Sequence, residues 1–145
     1  MRRFINYCSA NVLLLDEKIN IDKYALQCIY YIMWNIDYSE EYDTWFNTLD
    51  EESKIAVLER VKLLQEFGPQ LPRPYSDVLH GSKYVNLKEL RNKTEKHVLR
   101  VAYIFDKERK AFLLTGGDKK GKNERNFYSE LVSVSEKLVE KYHLK

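Results

Sequence analysis

Arg91, Arg100, Lys119 and Lys120 are the side chains through which this chain could grip a phosphate. Arg91 closes one candidate strand and Arg100 lies on the next, so antiparallel pairing would bring both guanidinium forks to one anion. Lys119 and Lys120 follow Gly116-Gly117, where absent side chains would let a phosphate backbone come close. Tyr128 lies just beyond that turn. Each has a plainer use as well: strand arginines are commonly solvated or salt-bridged, turn lysines are commonly mobile, and a helix tyrosine commonly packs in a core. His80 and His97 each stand alone in the sequence and are set aside as acid–base alternates. No Ser-His-Asp arrangement and no carboxylate pair at helical spacing stands out, and Gly116-Gly117-Asp118-Lys119 lacks the Walker spacing that nucleotide hydrolysis needs. Cys8 and Cys28 sit far apart with no metal-ligand spacing, so reduced thiols and no metal or cofactor are expected.

The segment that would carry these residues, 84 to 120, reads as three strands joined by polar turns. Val98 to Phe105 alternates, with Leu99, Val101, Tyr103 and Phe105 on one face and Val98, Arg100, Ala102 and Ile104 on the other. Asn92 to Lys96 and Asp106 to Lys110 supply the turns of an antiparallel meander. Residues 83 to 128 hold 13 Lys/Arg against 6 Asp/Glu, a net +7, whereas residues 1 to 82 hold 8 against 13, a net −5. A total of +2 therefore hides a basic segment of the kind that binds polyanions.

With 145 residues, 44% hydrophobic and 32% charged, the chain has the make-up of one globular domain with its own core. Residues 1–32 show no sustained period, and Met33-Trp34 reads as a fresh start. The first 32 residues are thus either an extension folding on the domain of residues 33–145 or the product of an over-long gene reading. Val12 to Leu15 is too short for the apolar stretch of a signal peptide, and no membrane span is seen, so a cytoplasmic location is expected. Trp34 to Tyr38 alternates as a first strand. Ser39 is a cap for a helix striped by Tyr42, Trp45, Phe46 and Leu49. Asp50 can cap a longer helix lined by Ile55, Leu58, Val61, Leu63 and Leu64 and stopped by Phe67-Gly68-Pro69. Residues 70 to 83 are expected to be irregular, with Pro72 and Pro74 stiffening the loop around Arg73 and Tyr75. Asn126 is the expected cap of a last helix, along which Phe127, Tyr128, Leu131, Val134, Leu138, Val139 and Tyr142 recur. The order β-α-α-β-β-β-α predicts an α+β fold: a small antiparallel sheet packed against two N-terminal helices, with a C-terminal helix.

Five segments then occur in series: Glu66-Phe67-Gly68-Pro69-Gln70-Leu71-Pro72-Arg73-Pro74-Tyr75, His80-Gly81-Ser82-Lys83, Lys88-Glu89-Leu90-Arg91, Leu99-Arg100-Val101-Ala102-Tyr103 and Leu114-Thr115-Gly116-Gly117-Asp118-Lys119. Together they resemble the RelE/ParE superfamily of small bacterial toxins, in its HigB-like branch related to phage host-killing proteins. The resemblance covers residues 33–145. It implies a RelE-like fold and a toxin of a type II toxin–antitoxin system, inhibiting translation by ribosome-dependent cleavage of mRNA. The implied partners are the ribosome, mRNA and a cognate helix-turn-helix, HigA-like antitoxin. Metal-independent endoribonuclease chemistry needs a base at the 2′-hydroxyl, cations around the phosphate and an acid for the 5′-oxygen. On the resemblance, Arg91, Arg100, Lys119 and Tyr128 are the catalytic candidates, and Lys88, Lys120, Arg73, Tyr75 and Lys83 the RNA-binding ones. Two alternatives keep the fold without the chemistry: a ParE-like gyrase inhibitor, or an inactive nucleic-acid-binding remnant.

Overall fold

The computed structural model describes residues 33–145. Residues 1–32, with both of their proposed readings, lie outside the described residues. The elements in order are β1 (Asn35–Tyr38), α1 (Glu40–Asn47), α2 (Glu51–Phe67), a 3₁₀ turn (Gly68–Gln70), β2 (Ser76–Val78), β3 (Leu87–Lys93), β4 (Val98–Phe105), β5 (Lys110–Asp118) and α3 (Glu124–Lys141).

Local chemistry sets the helix ends. The Ser39 side chain accepts from the Tyr42 amide at 2.9 Å and Asp50 from the Ser53 amide at 2.8 Å, each satisfying a donor that the first helical turn leaves free. The cap of α3 is Asn123, accepting from the Asn126 amide at 3.1 Å, so the helix starts earlier than the expected Asn126 cap. Gly68 ends α2 at a φ of 53° and donates to the Leu64 carbonyl.

The strands form one sheet in the order β1-β5-β4-β3-β2. β3, β4 and β5 make the expected antiparallel meander. β1 joins it parallel to β5, because α1 and α2 carry the chain from the β1 edge to the far edge before the meander returns. β2 falls inside the segment expected to be irregular and pairs Ser76, Asp77 and Val78 with Leu90, Glu89 and Lys88. Three residues, one of them apolar, are too few to show a period of two.

Both sheet faces are covered. On one, Leu90, Leu99, Val101, Tyr103 and Leu113 pack with Tyr42, Val57, Val61 and Leu64 of α1 and α2. On the other, Leu87, Ala102, Ile104, Phe112 and Leu114 pack with Phe127, Leu131 and Leu138 of α3. Burying each large side chain contributes about 1.5–3 kcal/mol, so β4, apolar on both faces, is the centre of the domain. Within α2, Val57 is buried and Ile55 is 57% exposed, a correction to the stripe read from the sequence. The irregularity between Ala102 and Tyr103 leaves Leu114 unmatched in the β4–β5 register, and the Ser39 hydroxyl donates to its carbonyl, tying the start of α1 to the sheet. Deep in the first core, Tyr103 shares a 2.6 Å hydrogen bond with Ser76, while burial pushes the phenol up to about 12.

Candidate active site

Arg91 and Arg100 are direct partners in the β3–β4 register, and both guanidiniums turn toward the face that α3 covers. Arg100 is matched on its other side by Gly117 of β5, whose missing side chain leaves room for Phe127, 3.0 Å from where a Cβ would stand. The first turn of α3 thereby settles over the strand and delivers Tyr128, whose hydroxyl accepts from Arg100 Nε at 3.1 Å. Arg100 Nη1 donates to its neighbour's carbonyl, that of Leu99, at 2.9 Å. Lys119 Nζ lies 5.3 Å from the Tyr128 ring and 2.6 Å from Glu124 Oε1. Two arginines, a lysine and a phenol therefore meet at one end of the sheet.

The acids of this cluster were not read as part of a site. Glu89 sits beneath the arginine pair with a side chain only 4% exposed, and its Oε1 lies 3.7 Å from both Arg91 Nε and Arg100 Nε. The same oxygen accepts from the Tyr128 hydroxyl at 3.2 Å, and Oε2 is buried without a hydrogen-bond partner. Burial pushes the Glu89 carboxyl above its usual range, against the pull of Arg100, Tyr128 and Arg91. Asp77 Oδ2 lies 2.6 Å from Arg73 and 3.4 Å from Arg91. Burial would raise Asp77, but the Val78 amide and the two guanidiniums outweigh it and hold the carboxyl below its ordinary value. Lys119 holds Glu124 low in the same way. Glu89 and Glu124 are already inside the +7 counted over the segment, and Asp77, which lies outside it, adds one further negative charge where the cations meet. Of the two paired arginines, Arg91 is 32% exposed and open to solvent, whereas the Arg100 side chain is 6% exposed.

Of the RNA-binding candidates, Arg73 reaches the cluster through Asp77. Lys120 stands at its margin, its Nζ donating to the Glu95 carbonyl. The other three are elsewhere. Lys88 alternates with Glu89 and Arg91 and so points to the opposite face, that of Leu90. Tyr75 lies under Arg60 of α2, with the guanidinium carbon 4.6 Å from its ring. Lys83 pairs with Glu140 near the far end of α3, about 18 Å along the helix from Tyr128. Gly116 and Gly117 also differ from expectation: they lie within β5 and make room for Trp45 and Phe127 rather than for a phosphate backbone.

A cleft of about 600 Å³ adjoins Tyr128, lined by His80, Gly81, Glu124, Arg125, Ser129 and Val132. This volume lies within the range of small-ligand sites. His80, set aside in the sequence as an acid–base alternate, lines this cleft beside Tyr128, and neither Arg91 nor Arg100 is among its lining residues. His97 lies apart, with Nδ1 2.6 Å from Asp118 Oδ2 and Nε2 3.6 Å from Asp50. Among the described residues no group of three His, Cys, Asp or Glu is placed to hold a metal ion, and no helix is long and apolar enough to cross a membrane.

Asp118 fastens the turn that carries Lys119, its Oδ1 accepting from the Val98 and Lys120 amides at 2.9 Å. Burial would raise this carboxyl, but the His97 hydrogen bond and those amides hold it below its ordinary value. Its stabilisation is present above the unfolded carboxylate value and is lost as pH falls through the lower folded one. Asp118→Asn should therefore melt a few degrees below the parent at about pH 6, and the gap should close as pH falls through the lowered folded value. Thermal denaturation across that range checks it.

The phage derived protein Gp49-like (DUF891) family model matches residues 44–140. HigB2 of Mycobacterium tuberculosis, a toxin by designation only, is 32% identical over 119 residues, 81% of this chain and 58% of that protein. This chain thus spans little more than half the length of that relative. HigB3 of the same organism, also a toxin by designation, is 33% identical over 100 residues, 69% of this chain and 85% of that one. A mutant of E. coli toxin RelE in the free state aligns in space with a TM-score of 0.48 and 15% identity, over 70% of this chain and 95% of that one. On the family match and the identity to HigB3, this chain belongs to the Gp49-like (DUF891) family, in the HigB-like branch.

Proposed function

We propose that this protein is the toxin of a type II toxin–antitoxin system and arrests translation by cutting mRNA on the ribosome. The observation that carries the reading is the register match of Arg91 with Arg100, under a helix turn that adds Tyr128 beside Lys119. Two guanidinium forks and an ammonium can surround a phosphodiester as it gains charge, the largest single contribution in reactions of this kind. Tyr128 can pass a proton at the 2′-hydroxyl, and Lys119 can protonate the departing 5′-oxygen. Arg73, and at the margin Lys120, extend the grip along the RNA backbone. The toxin designations of HigB2 and HigB3 support the same reading. The partners it calls for are the ribosome, mRNA and a helix-turn-helix, HigA-like antitoxin, with the cytoplasm as the place of action.

Primer extension on transcripts from cells expressing the chain should reveal discrete new 5′ ends, appearing with growth arrest and suppressed by the antitoxin. The burial of Arg100 favours a second reading, in which the chain acts by binding alone, as a gyrase inhibitor or an inactive nucleic-acid-binding remnant. Arrest without new 5′ ends would establish gyrase inhibition; salt-sensitive RNA binding without arrest would establish the remnant.

A further inference from the structure

The chemistry proposed above leaves open where the proton of the attacking 2′-hydroxyl goes. The histidines do not answer it: His80 lines the cleft without reaching the arginines, and His97 is committed to Asp118. Glu89 is the carboxylate at the centre of the cluster, and its surroundings are incomplete for an ion so deeply buried. It receives a single hydrogen bond, from Tyr128. Both guanidinium nitrogens stand at 3.7 Å, too far for a hydrogen bond, and Oε2 has no partner. A buried charge is ordinarily surrounded by close donors.

On the reading of the chain as an RNA-cleaving toxin, we propose that Glu89 is the proton acceptor of the site, working through Tyr128, and that the bound phosphate makes it a stronger base by drawing Arg91 and Arg100 away from it. The phosphodiester competes for the same two cations and adds a negative charge nearby. Both changes disfavour the ionised carboxylate, which burial already holds above the usual range. Proton affinity therefore rises when substrate arrives. In the step itself the Tyr128 phenolic proton passes to Glu89 Oε1 as the 2′-hydroxyl proton passes to the Tyr128 oxygen. The O2′–P bond forms and the P–O5′ bond breaks, the 5′-oxygen leaving with a proton from Lys119 Nζ. The products are a 2′,3′-cyclic phosphate and a 5′-hydroxyl; Lys119 regains its proton from solvent, and Glu89 returns its own.

The test is single-turnover cleavage of ribosome-bound mRNA by the full chain across pH, for the parent, Glu89→Gln, Tyr128→Phe and the double variant. The parent rate should rise with pH and then level off. Each single variant should lose the rising limb and fall by about 10²–10³-fold, and the double should be no slower than the worse single. A Glu89→Gln rate within about threefold of the parent with the limb intact would overturn the proposal and leave the cleavage reading standing. Should Glu89→Gln not fold, retention of the limb in Tyr128→Phe overturns it equally. No cleavage by the parent overturns both. An independent readout is the ¹³C carboxyl titration of Glu89, which should shift to higher pH when an RNA fragment lacking the scissile 2′-hydroxyl binds; an unmoved titration would remove the switch.

Discussion

Arg91→Gln is expected to relieve growth arrest and to slow mRNA cleavage by on the order of 10²–10³-fold while the protein melts close to the parent temperature. The separation of activity from stability follows from the surroundings of Arg91. It is 32% exposed and its ion pairs are long, 3.4 Å to Asp77 and 3.7 Å to Glu89. Asp77 keeps Arg73 at 2.6 Å when Arg91 is gone, so no carboxylate is stranded. Glu89 keeps Arg100 at 3.7 Å, and long pairs whose cation is open to solvent contribute about 0–1 kcal/mol to folding. Arg100→Gln should also abolish arrest, but at a real cost in stability. Its side chain is 6% exposed, and its removal takes away the hydrogen bonds to the Tyr128 hydroxyl and the Leu99 carbonyl and leaves a hole that Gln cannot fill, a loss of about 3–5 kcal/mol of the size seen when buried pairs are broken. Arg91→Gln is therefore the cleaner variant, and the two should differ more in melting temperature than in toxicity. Antitoxin should still co-purify with Arg91→Gln. Full toxicity in the doubly substituted protein would remove both arginines from the site.

The contrast between those two arginines also marks what a sequence can reveal. Their pairing was legible because β4 alternates cleanly, which fixes the face of Arg100, and because a short polar turn leaves little choice of register with β3. The capping residues Ser39 and Asp50 were legible for a similar reason: each acts on an amide three residues away. Glu89 was not. In Lys88-Glu89-Leu90-Arg91 it looks like one more polar residue of an exposed edge, and only the arrival of α3, about 40 residues later, buries it. Lys83 failed in the opposite direction, since its acid, Glu140, is 57 residues away and invisible to a local count of charge. Nor does a count of charge show which cations are paired: Asp77, outside the basic segment, meets Arg91, and Glu124 meets Lys119 rather than its neighbour Arg125. β2 escaped because three residues hold no period.

Gly68→Ala is expected to be the most destabilising single methyl that can be added among the described glycines. Gly68 has φ 53° and ψ −130°, a combination essentially closed to residues with a side chain. A Cβ there would come within 2.1 Å of Trp34 Nε1, a clash that requires the indole to move. The ring is not free to do so. It packs edge-on against Phe105 at 4.8 Å, the Arg109 guanidinium carbon lies 4.6 Å from it, and the Trp34 amide donates to the Gln65 carbonyl at the end of α2. Backbone strain of about 1–3 kcal/mol and overpacking of about 1–3 kcal/mol then add, for a fall in melting temperature on the order of 10 °C. Gly121→Ala separates the two contributions. Its φ is also positive, 72°, but nothing lies within 4 Å of the added carbon, so it should show a backbone cost without the clash and lose less. Thermal unfolding of both variants decides it: equal losses would mean that Trp34 yields freely and that Gly68 is required for its backbone only. Because Gly68 also aims the chain into the loop that holds Arg73 against Asp77, the variant should lose cleavage activity along with stability. Gly121→Ala, inside the turn from Lys119 to Lys122 but clear of neighbours, should lose less of both.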